Sequence, residues 1–314
     1  MTRVFFITDV HASEKCFRKF LNAAKVYGAD SLILGGDITG KVLVPVVERP
    51  DGAYDVRLFG KDRIVKKEGL QQARKELQDA GQYSFVTTPA GLEEIHNDKA
   101  KEERVFNEAI VSTLRSWVQL AQERLKGTGV TCYISPGNDD KFEVDQVLVD
   151  SGAVVNPENR VVELGPGYEM ITLGYANTTP WHSPREVSDE KLGEMIENLA
   201  SRVKRPEAAI YNLHVPPMDT ELDKAPAVSE EFTYVREGLG VKMIHAGSAA
   251  VRKSIEAHQP LLGLHGHIHE SKGFVRLGRS LCLNPGSEYA DGILRGAVVN
   301  LDGGRVKEFL LTSG

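Results

Sequence analysis

Leu264-His265-Gly266-His267-Ile268-His269-Glu270 packs three of the chain's nine histidines into five residues. The apolar run 260–264 leads straight into it and predicts a buried strand. His267 and His269 stand two apart, so an extended segment sends both imidazoles to one side and His265 to the other. Two imidazoles on one side of a strand end suit a metal site open to solvent, since neutral imidazole is the commonest metal ligand. A His-rich turn would carry the same residues, so the other strand ends must decide.

Working outward, the same pattern recurs. Residues 4–8 form an apolar run ending at Asp9-Val10-His11. A helix follows, with Ser13 as N-cap, Phe17, Phe20, Leu21 and Ala24 at helical spacing, and Gly28 as its stop. Residues 31–34 are a second strand, ending at Gly35-Gly36-Asp37-Ile38-Thr39-Gly40. This strand, helix, parallel strand unit places polar residues where open α/β folds place their sites. Residues 130–135 lead to Pro136-Gly137-Asn138-Asp139-Asp140, and a helix is expected through Val144, Val147 and Leu148, stopped by Gly152. Strands 160–164 and 169–173 flank Gly-Pro-Gly, and a loop runs over 174–182. Ser188 caps a helix to about residue 203, and strand 208–213 ends at His214.

Five apolar strands thus end in polar clusters: Asp9 and His11, Asp37, Asn138, His214, and His267 with His269. Three oxygen donors and four imidazoles are too many for a closed tetrahedral zinc site. They fit two adjacent divalent ions with a bridging carboxylate and room for water.

The rest of the chain sets bounds. Its 314 residues can bury a large core, and 41% hydrophobic with 26% charged residues is ordinary for a soluble globular protein. A net charge of −6 gives no electrostatic footprint for nucleic acid or anionic membrane. Cys16, Cys132 and Cys282 are widely spaced, which argues against disulfides and thiolate zinc and leaves them as packing residues. With no signal-like h-region and no membrane-length apolar run, the expected location is the cytoplasm.

Residues 1–314 read as one catalytic domain carrying a hairpin-plus-helices insertion at 41–129. Apolar runs 42–47 and 54–59 flank Asp51-Gly52, a hairpin signal. Residues 66–80 predict one helix and 99–126 a longer one, with Phe106, Ile110, Leu114, Trp117, Ala121 and Leu125 along one stripe. Residues 216–240 look like loop, a helix should run to about His258, and the tail from Gly273 predicts an antiparallel meander.

With these residues in view, the chain resembles the calcineurin-like metallophosphoesterases, in particular the smaller bacterial and archaeal phosphodiesterase-like branch. D-x-H matches Asp9-Val10-His11, G-D-x-x-[DG] matches residues 36–40, G-N-H-[DE] is partly matched by Gly137-Asn138-Asp139-Asp140, a later His matches His214, and G-H-x-H matches residues 266–269. Asn284-Pro285-Gly286-Ser287 also looks like that branch's tail. The resemblance implies a four-layer α/β/β/α sandwich of two mixed β-sheets flanked by helices. It implies Asp9, His11 and His269 on a first ion, Asn138, His214 and His267 on a second, and Asp37 between them. The ions would be drawn from manganese, iron and zinc.

The implied reaction is hydrolysis of a phosphodiester or phosphomonoester, diester favoured, by in-line attack of hydroxide generated at the ions. The departure is Asp139, where the family has a His that assists the leaving oxygen. An ionised carboxylate cannot donate. His182 and His245 are candidates to take that part, or the enzyme relies on leaving groups that need little protonation. Asp140 should orient its neighbours. His96, His258 and His265 read as structural. Asn177, Thr178 and Trp181 could contact a small phosphorylated, nucleotide-like substrate, with Trp181 against a base. The insertion begins just after Asp37 and either roofs the site or serves packing or self-association. Two rival functions stand beside this: a nuclease, against which the acidic balance counts, and a scaffold that kept the fold and lost the chemistry.

Overall fold

The computed structural model describes residues 1–150, 152, 154–229, 233–238 and 240–314. The opening unit forms as its signals direct. Strand β1 (Thr2–Ile7) leads to helix α1 (Glu14–Tyr27), whose N-cap Ser13 accepts from the Cys16 N–H and whose C-cap Gly28 takes φ +61°. Strand β2 (Ser31–Gly35) returns parallel to β1, with Val4 opposite Ser31 and Ile7 opposite Leu34.

Strands β3 (Val42–Glu48), β4 (Tyr54–Leu58) and β5 (Lys61–Val65), helix α2 (Leu70–Asp79), strand β6 (Gln82–Thr87) and helices α3 (Pro89–Asn97) and α4 (Lys99–Leu125) follow. The β3–β4 hairpin is antiparallel as expected, but it belongs to a four-stranded sheet ordered β5-β4-β3-β6. Strand β5 escapes a periodicity reading because it is almost wholly exposed and carries Lys61-Asp62-Arg63. Val44, Val46, Val56 and Leu58 pack with Ala73 and Leu77 of α2 in a separate small core. Helix α4 serves the main body instead. Its Ile110, Leu114, Trp117 and Ala121 join the core under α1, where the Trp117 and Phe17 rings stack at 4.1 Å.

The chain then supplies β7 (Thr131–Ser135), β8 (Val154–Val155), β9 (Val161–Gly165), β10 (Tyr168–Leu173), α5 (Asp189–Ala200), β11 (Ile210–Leu213), α6 (Ala249–His258), β12 (Leu262–Leu264), β13 (Gly273–Leu277), β14 (Ser280–Asn284), β15 (Arg295–Asp302) and β16 (Arg305–Ser313). One six-stranded sheet is ordered β16-β15-β1-β2-β7-β8 and the other β13-β14-β12-β11-β10-β9. Alternation along the strands builds the layers. Val4, Phe6, Ile33 and Val299 of the first sheet meet Met170, Ile210, Leu262 and Leu283 of the second in one core between the sheets. Phe5, Ile7, Leu32 and Leu34 point the other way, onto α1 and α4. Ile171, Leu173, Tyr211 and Leu213 pack under α5 and α6. The result is an α/β/β/α sandwich of two mixed sheets.

Three expectations are corrected. The helix after Asp140 is a single 3-10 turn, Phe142–Gln146. Val144 within it and Val147 and Leu148 just after it join the core ahead of β8. The tail is no meander. β14 pairs parallel with β12 and antiparallel with β13 in one sheet, whereas β15 and β16 close the other sheet against β1. Alternation looks the same whichever sheet accepts the strand, so only the distant partners decide. Within 216–240, Lys224–Pro226 pairs with Met243–His245, and Arg236–Glu237 with Gly240–Val241; residues 230–232 and 239 of that stretch lie outside the described residues. Among the described residues no helix is long and apolar enough to cross a membrane.

Candidate metal centre

The ends of β1, β2, β7, β11 and β12 converge. Asp9, His11, Asp37, Asn138 and His214 are all buried. Asp9, His11, Asp37 and His267 take positive φ values of 53°, 39°, 48° and 66°. Such backbone is uncommon outside glycine and persists where surrounding structure over-determines it, which is typical of functional sites. Gly36 lies in the same turn at φ +125°, and a Cβ there would sit 2.3 Å from His214 Nδ1. Gly266 is as tight: its Cβ would meet Thr8 Oγ1 at 2.1 Å and Asp9 Oδ2 at 2.3 Å.

Two groups of donor atoms share Asp9. On one side stand Asp9, His11 and His269; on the other Asp9, Asp37 and His214. His11 Nδ1 donates to the Thr39 carbonyl at 3.1 Å, which turns its unprotonated Nε2 toward His269 Nε2, 3.2 Å away. His269 Nε2 also lies 3.3 Å from Asp9 Oδ1. His214 Nδ1 donates to the Gly35 carbonyl at 3.1 Å, leaving Nε2 buried with no hydrogen-bond partner. Asp37 presents Oδ1 to His214 Nε2 at 3.4 Å and Oδ2 to His11 Nε2 at 3.7 Å, one oxygen to each side. His267 Nδ1 lies 2.8 Å from Asn138 Oδ1, and its ring meets that of His214 edge-on at 5.5 Å. An orphaned imidazole nitrogen facing two carboxylates, and two imidazole nitrogens converging on one carboxylate, form a donor set that metal ions satisfy.

The buried carboxylates draw positive charge onto the cluster, the place a metal ion would take. Burial holds His11 down at about 4, helped by His269, and holds His267 at about 3, so both are neutral. Burial opposes the charged form of His214, but Asp37 and Asp9 outweigh it and raise the imidazole to about 10. Burial likewise works against an ionised Asp9, yet His214 and His269 keep it well below the usual carboxylate range. These Asp/His groups can hold metal ions.

The long-range order of the site rests on three clamps. Asp140 accepts from the N–H groups of Ile38 at 3.0 Å, Thr39 at 2.8 Å and Gly137 at 2.7 Å, and from Thr39 Oγ1 at 2.5 Å. Asn284 Nδ2 donates to the carbonyls of Gly266 and Ile268, and Ser287 Oγ to that of Asp9 at 2.6 Å. Buried Arg185 donates Nε to the Asp140 carbonyl at 2.9 Å and lies over the Phe142 ring. The histidine stretch itself is a turn after β12. His267 and His269 reach the centre through the left-handed backbone at His267, not by strand alternation. His265 points away and donates Nδ1 to the Leu213 carbonyl at 2.8 Å.

Asp139 has its N–H on Asp37 Oδ1 at 3.0 Å. Its carboxylate takes the Ser183 hydroxyl and the Lys41 ammonium. Burial resists ionisation there, but Lys41 and Ser183 bring the group down to about 2. His182 is exposed beside Ser183, with φ +50°. His245 sits apart, on the ladder with Lys224–Pro226, with Nδ1 on buried Asp223 at 2.8 Å. Asn177 and Thr178 belong to the short Ala176–Asn177 segment and its continuation, and Trp181 is exposed. Lys41, Ser183 and Tyr289 belong to no motif, which is why they escape a reading of the sequence. The Tyr289 ring lies 4.7 Å from that of His11 and 6.0 Å from that of His269. A cavity of about 400 Å³ opens beside it, lined by His269, Lys272, Ser287, Tyr289 and Arg295.

No family model matches the chain. Uncharacterized protein MJ1162 of Methanocaldococcus jannaschii is 26% identical over 152 residues, 48% of this chain and 61% of that protein, so the match spans under two thirds of the relative's length. The crystal structure of TT1561 of Thermus thermophilus superposes with a TM-score of 0.54 at 15% identity, covering 100% of this chain and 98% of that one. Another solved chain gives a TM-score of 0.55 at 16% identity, covering 98% of each. These likenesses bear on the fold alone.

Proposed function

We propose that the protein is a phosphoesterase that works with two divalent metal ions and favours phosphodiesters, as its resemblance to the calcineurin-like metallophosphoesterases implies. The observation that carries this is His214 Nε2, buried without a hydrogen-bond partner between Asp9 and Asp37, across the cluster from the facing Nε2 atoms of His11 and His269. Asp9, His11 and His269 would hold one ion, with His214, His267 and Asn138 for a second and Asp37 between the two groups, as the resemblance implies. When bound, manganese, iron or zinc ions neutralise phosphoryl charge and lower the pKa of water from ~15.7 toward ~7.

The residues do the rest. The Thr39 and Gly35 carbonyls fix the tautomers of His11 and His214. Asp139, ionised and occupied by Lys41 and Ser183, has no proton to give a leaving oxygen. Activated diesters and aryl phosphates should therefore turn over better than alkyl monoesters. His182, next to Ser183 in an exposed loop, is better placed than the Asp223-bound His245 to assist a leaving group. The substrate is small, phosphorylated and nucleotide-like, with Trp181 meeting a base from its exposed position. The setting is cytoplasmic, in keeping with three buried free cysteines.

The test combines metal content with hydrolysis. Protein purified without chelator should hold about two ions per chain and cleave bis-p-nitrophenyl phosphate faster than p-nitrophenyl phosphate with manganese. Asp37→Asn should abolish both the second ion and turnover. No tight metal and no cleavage would return the chain to the scaffold reading.

A further inference from the structure

The insertion sheet delivers a cation into the metal centre. Lys41 is the residue between the Asp37 turn and β3, and its position is set from both sides. The Gly40 N–H donates to the Tyr83 hydroxyl at 3.0 Å, and Tyr83 is buried on β6, which pairs with β3 from Val42 opposite Gln82 onward. The Lys41 ammonium is bonded to Asp139, whose N–H is on Asp37 Oδ1. A ligand oxygen of Asp139 lies within 4.8 Å of donor atoms of His11 and Asp37, so this ion pair borders the centre directly. The Lys41 side chain is still 53% exposed, and an ammonium has three donors, so the bond to Asp139 leaves donors for a further partner.

We propose that Lys41 is a binding residue for the phosphate group of the substrate, with Asp139 as the positioning residue that holds its ammonium over the centre. This rests on the phosphoesterase reading and deepens it: the position where the family carries a His holds instead an acid that recruits a lysine from the insertion. Asp139 alone would repel a phosphoryl oxygen; paired with Lys41 its charge is offset, and the ammonium keeps N–H donors of the kind phosphate sites use. The long reach of the insertion then has a reason at the site, since the β3–β6 pairing fixes where Lys41 starts.

The experiment measures inorganic phosphate binding to the metal-loaded protein by calorimetry, alongside metal content and bis-p-nitrophenyl phosphate kinetics. Lys41→Met should weaken phosphate binding and raise KM by at least about tenfold with metal content unchanged, the scale of a charged hydrogen bond. Lys41→Arg should recover part of the affinity. Asp139→Asn should weaken binding less than Lys41→Met, because the ammonium remains. Wild-type phosphate affinity in Lys41→Met overturns the proposal. So does full rescue in the Lys41→Met/Asp139→Asn double variant, which would make Lys41 a mere neutraliser of Asp139. Those results arise in a protein that binds metal and hydrolyses diesters, whereas failure of the phosphoesterase reading shows as wild type without metal, phosphate binding or turnover, and takes this proposal with it.

Discussion

Replacing Asp140 by Asn tests how the centre is held together without touching a proposed ligand. Both oxygens of Asp140 are filled: Oδ1 by Thr39 N and Oγ1, Oδ2 by Ile38 N and Gly137 N. Burial and the neighbouring Asp37 push this carboxyl up, and the bonds from the Thr39 hydroxyl and the Gly137 and Ile38 N–H groups oppose them. Asn keeps the shape but turns one acceptor into a donor. If the amide NH₂ faces Thr39, the hydroxyl can rotate to accept from it, but the Thr39 N–H is orphaned. If it faces the other way, the N–H groups of Ile38 and Gly137 are both orphaned. An unsatisfied buried donor costs about 1–3 kcal/mol, and the surviving bonds lose their charge, so the expected destabilisation is about 2–4 kcal/mol. Urea unfolding in excess chelator measures it free of any metal contribution. Thr39→Val is the companion, removing one hydroxyl donor and no acceptor, for about 1 kcal/mol. Because Asp140 ties the Asp37 turn to the Asn138 turn, Asp140→Asn should also weaken metal uptake. An unfolding free energy within about 0.5 kcal/mol of wild type would refute the clamp.

Two further changes probe other parts of the fold. Gly266→Ala would drive a methyl to 2.1 Å from Thr8 Oγ1 and 2.3 Å from Asp9 Oδ2, so it should cost about 1–3 kcal/mol and reduce metal uptake by displacing Asp9, read by unfolding and by metal titration. Glu158 accepts from the Gly174 N–H, and burial pushes its carboxyl up to about 8. Between its ordinary value and 8 the folded state binds the extra proton, so stability contributed by Glu158 is present at low pH and lost as pH rises through 8. Glu158→Gln, which keeps an acceptor for Gly174 and cannot ionise, should gain urea stability relative to wild type from about pH 5 to about pH 9; a difference that stays flat with pH would dismiss the burial argument.

What could be read from the chain was what local chemistry decides. Ser13 and Ser188 each accept an N–H at a helix start, and Gly28 ends α1 in left-handed backbone. The strand-end clusters were legible because strands buried on both faces read as unbroken apolar runs, and polar residues just past them stand out. The insertion sheet was only half legible. Asp51-Gly52 announces the hairpin, but the edge strand β5 owes its conformation to pairing with β4, not to any apolar face of its own. The tail failed for a related reason: β1 pairs with β15, and Val4 opposite Val299 spans nearly the whole chain.

The metal cluster shows the same division in sharper form. The spacing of His267 and His269 pointed to the right stretch and misjudged its geometry, since a two-residue period assumes extended backbone and His267 is left-handed. The turn is held by groups far away in sequence, Asn284 on the Gly266 and Ile268 carbonyls and Asp9 on the His267 N–H. Lys41 is the extreme case. A lone lysine after a glycine has no motif, and only the β3–β6 pairing, with Gly40 bound to the Tyr83 hydroxyl, brings it to Asp139. Residue types at strand ends therefore announce that ions can be held, because ligand chemistry is local. Which charge borders the cluster depends on how the 41–129 segment packs, and that is set by hydrogen bonds between residues some forty positions apart.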